Sequence, residues 1–244
     1  MTVFYHPDLE ANTVVLSVEE SRHCIKAMRK RAGDTVHLTD GKGMLAEAEI
    51  VSADLTGCVV SIIWREEIPA RRLRLHLAVA PTKNADRMEW LTEKAVEIGI
   101  EKISFIICEH SERPKIDMER LRRIAIAALK QSQTCHLPEM ETLPFTDFIE
   151  REKGNDTLRY IAWCDENNHS QLVHETLSQG EVLLLIGPEG DFSDQEIEMC
   201  RKMNFKEIKL GERRLRTETA ALYGCFAIAA KQPMDAMCSP TMGE

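Results

Sequence analysis

Leu183-Leu184-Leu185-Ile186-Gly187-Pro188-Glu189-Gly190 and the run Leu210-Gly211-Glu212-Arg213-Arg214-Leu215-Arg216-Thr217-Glu218-Thr219-Ala220 decide how this chain is read. The first begins as a short apolar run with no charge, the pattern of a parallel strand covered on both faces. It stops at a Gly-Pro-Glu-Gly turn, where glycine can take positive φ or admit a ligand to the backbone and proline stiffens the chain. Ser193 stands three residues before Glu196, the capping-box spacing, so a helix should start there with Ile197, Cys200 and Met203 inward. Ile208 and Leu210 alternate as a second strand ending at Gly211. Arg213, Arg214 and Arg216 then crowd one loop, and the segment from Ala220 to Ala230 carries no charge, which predicts a buried helix packed closely through its alanines and Gly224. Two glycine turns at strand ends, one flanked by arginines, suggest a site where backbone groups hold a small ligand and guanidinium groups face an anion.

Upstream of this region, Leu73 to Ala80 reads as a strand, Arg87 to Ile98 as a helix closed by Gly99, and Ile103 to Cys108 as the next strand. Met118 to Gln133 is a second helix, Phe145 to Ile149 a helical turn, Arg159 to Cys164 a strand leading to the acidic loop 165–167, and Leu172 to Leu177 a helix. Alternating strand and helix predict an α/β fold with a parallel sheet and a ligand crevice at the carboxyl ends of its strands. Three ends should converge: Cys164 to Glu166, Gly187 to Gly190, and Leu210 to Arg216. Residues 1–68 differ in texture: a helix from Ser17, then short strands at Thr35 to Leu38, Ala46 to Val51 and Cys58 to Trp64, a pattern that suggests a small β-barrel. The charged, proline-containing run Arg65 to Arg72 serves as linker to a second domain at 73–233, and 234–244 reads as a flexible tail.

Composition narrows the function classes. With 244 residues and 43% hydrophobic content the chain can bury a sizeable core. No run reaches the length of a membrane span, and MTVFYHPDLE lacks the basic start and apolar centre of a signal peptide, so a cytoplasmic protein is expected. Eight cysteines without a C-x-x-C pair indicate neither zinc ribbon nor redox motif, and Cys108 with His110 or Cys135 with His136 are too sparse for a metal site. A net charge of -9 argues against nucleic-acid binding by the whole surface. Any RNA contact must be focused on Arg22, His23, Lys26, Arg29, Lys30 and Arg31, or on the Arg213 to Arg216 cluster.

Taken together, Ile186 to Gly190 and Leu210 to Ala220 resemble the signature of the bacterial 16S ribosomal RNA uridine-N3 methyltransferases, within the knotted SPOUT superfamily. The likeness extends to Pro81-Thr82-Lys83, to the helix from Arg87 to Gly99, and to the N-terminal region, where a helix, Gly33-Asp34 and Asp40-Gly41-Lys42-Gly43 follow the order of a PUA-like RNA-binding domain. It implies a knotted C-terminal methyltransferase domain, S-adenosylmethionine as cofactor, no metal, 16S RNA or the 30S subunit as substrate, and an active site built at a homodimer interface. Matched residue by residue, the pocket positions are Ile186, Gly187, Gly190, Leu210, Leu215 and Ala220; Trp163, Pro188, Glu189, Gly211, Arg216 and Thr219 complete the expected cofactor set, and Lys83 and Arg213 are added to the RNA contacts.

Uridine N3 must lose a proton before it attacks a methyl group, and a guanidinium can stabilise the resulting charge. Arg216, between the Gly211 loop and the last helix, is the first choice for that role; Arg213 and Arg214 read equally well as solvated loop charges. Glu189 either orients its loop or accepts the proton, and Glu218 reads as a helix-terminal cap rather than a base. Lys94 and Glu97 form a surface pair at i,i+3. Two positions depart from the family pattern: Asp191 replaces a third glycine, and Thr134-Cys135-His136 stands where many relatives place an arginine. A noncatalytic RNA-binding factor with the same fold is the competing reading, and a nucleotide-phosphate enzyme is disfavoured because no Gly-Lys-Ser/Thr follows the glycine loop.

Overall fold

The computed structural model describes residues 2–112, 116–164, 170–177 and 179–231. The acidic loop 165–167 and the tail 234–244 lie outside them. The chain separates into two compact units, one comprising residues up to Ala70 with Ile126–Leu137, the other Arg71–Ala125 with the chain from Pro138 onward.

In the first unit five strands form a mixed sheet in the order β1 (Val3–Tyr5), β3 (Thr35–Thr39), β4 (Met44–Ser52), β5 (Val59–Glu67) and β2 (Thr13–Val15). β1 pairs with β3 in parallel and the other neighbours are antiparallel, so the ladder is an open half-barrel between edge strands β1 and β2. β5 extends to Glu67, into the stretch expected to be linker. Helix α1 (Val18–Arg22), capped by Ser17 Oγ on the Glu20 amide, widens into a π-turn at His23–Ala27. Ser21 Oγ pins α1 to the sheet: it donates to the Leu16 carbonyl at 3.2 Å and accepts from the Cys58 amide at 2.9 Å. Phe4, Leu16, Leu38, Ala46, Ile50 and Val60 fill the space behind it.

The second unit holds six strands, all parallel, in the order β11 (Lys206–Ile208), β9 (Leu158–Ala162), β10 (Gly180–Ile186), β6 (Leu73–Val79), β7 (Lys102–Ile107) and β8 (Glu139–Pro144). β10 explains why its sequence shows no alternation. Val182, Leu184 and Ile186 face one apolar layer with helices α2 (Ala85–Ile98) and α6 (Thr217–Ala229), while Leu183 and Leu185 face the other with α4 (Phe145–Arg151) and α5 (Asp194–Lys202). A strand enclosed on both faces needs apolar side chains at every position. Helix α3 (Met118–Ser132) follows β7.

Local signals place the ends of these elements. Gly99 closes α2 at φ 85, and Asn84 caps its start through the Asp86 amide. The Ser193–Glu196 capping box opens α5 with both of its reciprocal bonds, and α5 turns Ile197 and Cys200 inward while Met203 becomes the C-cap. Gly224 lets α6 lie close on β10, where a Cβ would press into Leu184. Two expectations need correction. Residues 172–177 form only one 3₁₀ turn, Leu172–His174, because the chain leaves helical geometry at Glu175 (φ -69, ψ 139). The uncharged helix α6 is not buried all round: Tyr223 and Phe226 are 41% and 58% exposed, on the side away from β6, β10 and α2.

Candidate functional site

At the carboxyl ends of β9, β10 and β11 the second unit opens a cavity of about 780 Å³, within the range of roughly 300–1,000 Å³ common to small-molecule sites. Three segments build its wall: Ala162 to Cys164, Ile186 to Asp191, and Ile208 to Thr217 with Ala220. The two motifs read from the sequence, over twenty residues apart in the chain, thus share one pocket. Thr217 Oγ1 holds them together by donating to the Gly187 carbonyl at 3.1 Å, and Arg214 Nη2 donates to the Glu189 carbonyl at 3.2 Å.

Of the predicted cofactor positions, Trp163, Ile186, Gly187, Pro188, Glu189, Leu210, Gly211, Leu215, Arg216 and Ala220 line the cavity, as does Arg213. Gly190 and Thr219 do not. Gly190 backs onto His110, whose Cβ would lie 3.1 Å from an added methyl, and Thr219 points to solvent from α6. Trp163 is held by its indole N–H on Glu207 Oε2 at 2.8 Å, with the Arg201 guanidinium 5.9 Å from its ring centre.

One of the two reasons expected for the glycines, a positive φ, does not apply. Neither Gly187 nor Gly190 has a positive φ; the left-handed residue of the loop is Asp191, at φ 63. Gly187 allows a close approach, since a Cβ there would sit 3.0 Å from the Phe192 ring. The Asp191 position also shows why a glycine would suit it: aspartate is one of the few other residues that tolerate this region.

The charged groups divide into paired and unpaired. Arg87 on α2 stands between Glu218 Oε1 at 3.6 Å and Glu189 Oε1 at 3.9 Å, so Glu218 is ion-paired in the first turn of α6 with one buried carboxylate oxygen lacking a hydrogen bond. Arg213 and Arg216 are exposed and make no side-chain hydrogen bond or ion pair among the described residues. Arg216 occupies the N-cap of α6, which places its guanidinium stem on the pocket rim. A cation without a protein partner at the mouth of a cavity remains available for an anionic ligand.

Asp191, Lys209 and Thr217 also line the cavity without having been assigned to it beforehand, and Cys164 and Arg214, expected only as parts of the converging strand ends, line it too. Burial first, and then the adjoining Asp191 carboxylate, push the Cys164 thiol above its usual value. Asp191 and Lys209 stand just outside the two motifs and Thr217 within the second, and no distinctive residue type marked any of the three as part of the wall.

Apart from Arg213, the RNA candidates lie elsewhere. Arg22, Lys26, Arg29 and Arg31 are exposed on α1 and the turn after it in the first unit; His23 packs its ring on Phe4 at 5.5 Å, and Lys30 Nζ is engaged by the Thr35 carbonyl at 3.0 Å. Lys83, in the second unit, pairs with Glu112 at 2.9 Å, and Lys94 pairs with both Glu93 and Glu97. No cluster of three or more metal-ligating side chains occurs among the described residues.

Comparison with known proteins agrees with this architecture. Residues 69–229 match the RNA methyltransferase domain model and residues 16–63 the RNA methyltransferase PUA domain model. The ribosomal RNA small subunit methyltransferase E of Bacillus subtilis is 28% identical, covering 90% of this chain and 91% of that protein. Among solved structures, a probable rRNA-methyltransferase from Porphyromonas gingivalis superposes with a TM-score of 0.87 at 41% identity, over 95% of this chain and 98% of its own. The ribosomal RNA small subunit methyltransferase E of Neisseria gonorrhoeae, bound to S-adenosyl methionine, superposes with a TM-score of 0.81 at 26% identity, over 94% and 97%. With the family model spanning most of its length and a 41% identical relative of the same fold, the chain belongs to the RNA methyltransferase family.

Proposed function

We propose that this protein methylates a uridine at N3 in 16S ribosomal RNA of the small subunit. At the coarser level it is an S-adenosylmethionine-dependent rRNA methyltransferase. The observation that carries the reading is the single cavity formed by the Ile186 to Asp191 turn and the Ile208 to Thr217 loop, with an unpaired arginine at its rim. The residues present suit the cofactor: backbone-lined walls and the apolar side chains Ile186, Leu210, Leu215 and Ala220 for an adenine, and the carboxylate of Glu189 for a cationic group. When bound, S-adenosylmethionine supplies a methyl group on a sulfonium.

The protein's own share of the reaction is orientation and charge. Gly187 and Leu210 hold the donor site open, and Arg216 stabilises negative charge as the uridine loses its N3 proton. The basic residues Arg22, Lys26, Arg29 and Arg31 of the first unit supply the RNA contact, and the exposed aromatic side of α6, Tyr223 and Phe226, supplies a homodimer contact. We place the protein in the cytoplasm, where its substrate is; no described helix is long and apolar enough to cross a membrane.

The test is incubation with methyl-labelled S-adenosylmethionine and 30S subunits from cells lacking the protein, followed by mass mapping of the RNA. One N3-methyluridine in 16S RNA is expected. A label on another base or atom would replace the proposed specificity, and no label from well-folded protein would defeat the reading.

A further inference from the structure

We propose that Asp191 is a positioning residue that fastens the glycine loop to the end of β9 and so holds the cofactor pocket in shape. Its two carboxylate oxygens act on different segments. Oδ2 accepts from the Cys164 amide at 3.0 Å, just past β9, while Oδ1 accepts from the Phe192 amide at 2.9 Å, within the loop itself. The Asp191 carbonyl takes a third contact, to His110 Nδ1 at 3.1 Å, in the turn that follows β7. Three chain segments that the sheet alone leaves separate beyond their strand ends are joined through this one residue.

The neighbouring contacts reinforce the same arrangement. Glu196 of the capping box accepts from the Glu109 amide at 2.9 Å, which fixes the His110 turn against the start of α5. Gly190 and Gly187 fit closely against His110 and the Phe192 ring, where an added Cβ would lie 3.1 and 3.0 Å from them. Only a residue that tolerates φ 63 and carries two acceptors on a short stem can occupy position 191 and make both carboxylate bonds. Glycine would satisfy the backbone but leave the Cys164 and Phe192 amides without these acceptors; asparagine would keep one acceptor of the two. Because Cys164, Gly187, Glu189 and Asp191 all line the cavity, loosening this link should weaken cofactor binding before it affects methyl transfer.

The proposal rests on the cavity being the cofactor site, and the test separates the two. Wild type, Asp191→Asn and Asp191→Gly are compared for amide hydrogen exchange at Cys164 and Phe192 in the free protein, for S-adenosylmethionine affinity by calorimetry, and for KM and kcat on 30S subunits. Loss of a bond to a charged acceptor predicts about tenfold weaker binding in Asp191→Gly, an intermediate loss in Asp191→Asn, and a rise in KM for the cofactor larger than any fall in kcat. Faster exchange at both amides should accompany it. Exchange unchanged in Asp191→Gly, or affinity within twofold of wild type, overturns the proposal. If wild type itself takes up no cofactor, the functional reading fails, while the exchange arm still judges the link.

Discussion

His76 should make this protein sensitive to mild acid, and the structure gives the size of the effect. The side chain is 2% exposed on β6, with Nε2 2.8 Å from Ser104 Oγ, and Ser104 in turn donates to Glu141 Oε1 at 2.9 Å. Since the serine has one proton and gives it to Glu141, His76 must donate from Nε2, which fixes its neutral tautomer. Burial, and then the charge of Lys102, lower its pKa from 6.5 to about 3, against the opposing pull of Glu141. The unfolded chain therefore binds a proton below pH 6.5 that the folded chain refuses. Stability from this group is complete above that pH and is lost as pH falls toward 3, by about 2 kcal/mol at pH 5 and roughly 4 kcal/mol at pH 3. Urea melts of wild type and His76→Gln at pH 8, 6 and 5 isolate the term. The variant starts less stable, by about 1–2 kcal/mol for a perturbed buried hydrogen bond, yet its stability falls less between pH 8 and 5. His37, also lowered by burial, contributes equally to both proteins and cancels. Glu141, lowered to about 2 with Arg151 and Lys102 beside it, titrates below this window. Equal pH slopes for the two proteins would refute the reasoning.

Replacing Arg216 by alanine should reduce kcat by about 10²–10³ while calorimetry finds cofactor affinity within a few-fold of wild type; a loss confined to KM would reassign the residue to binding. Phe226→Glu should convert a dimer to monomers by light scattering and abolish activity, because a charge would enter the contact proposed for the exposed side of α6. Cys164 is the one exposed thiol among the described cysteines, and it lies on the cavity wall. Saturating S-adenosylmethionine should slow its maleimide labelling, read by peptide mapping, with no change at a surface lysine probe.

Much of the second unit was legible because its signals are local. The β10 run, the Ser193–Glu196 box and Gly99 each describe a choice made within a few residues, and the structure keeps all three. β1 and β2 left no trace, since three residues cannot display a period and both lie at sheet edges. β8 was hidden for a related reason: it is the outermost strand of its sheet, and Leu143 is its one buried side chain. Composition misled at α6, where the absence of charge implied full enclosure although Phe226 faces solvent. A cavity does lie between the two turns, but the reason for the glycines was not visible, because the crowding of Gly187 by Phe192 and of Gly190 by His110 depends on how distant segments fold back. Likewise Asp191 stood out as a departure from a pattern, and only the structure gives its φ and its two carboxylate bonds.

The central claim is that the turns after β10 and β11, with the end of β9, enclose the methyl donor. A crystal structure of the protein grown with S-adenosylmethionine tests it most directly. Density for the donor against the backbone of Gly187 and Leu210, with Arg216 at the open side, is the predicted result; a fully occupied donor bound away from these three strand ends would contradict the account.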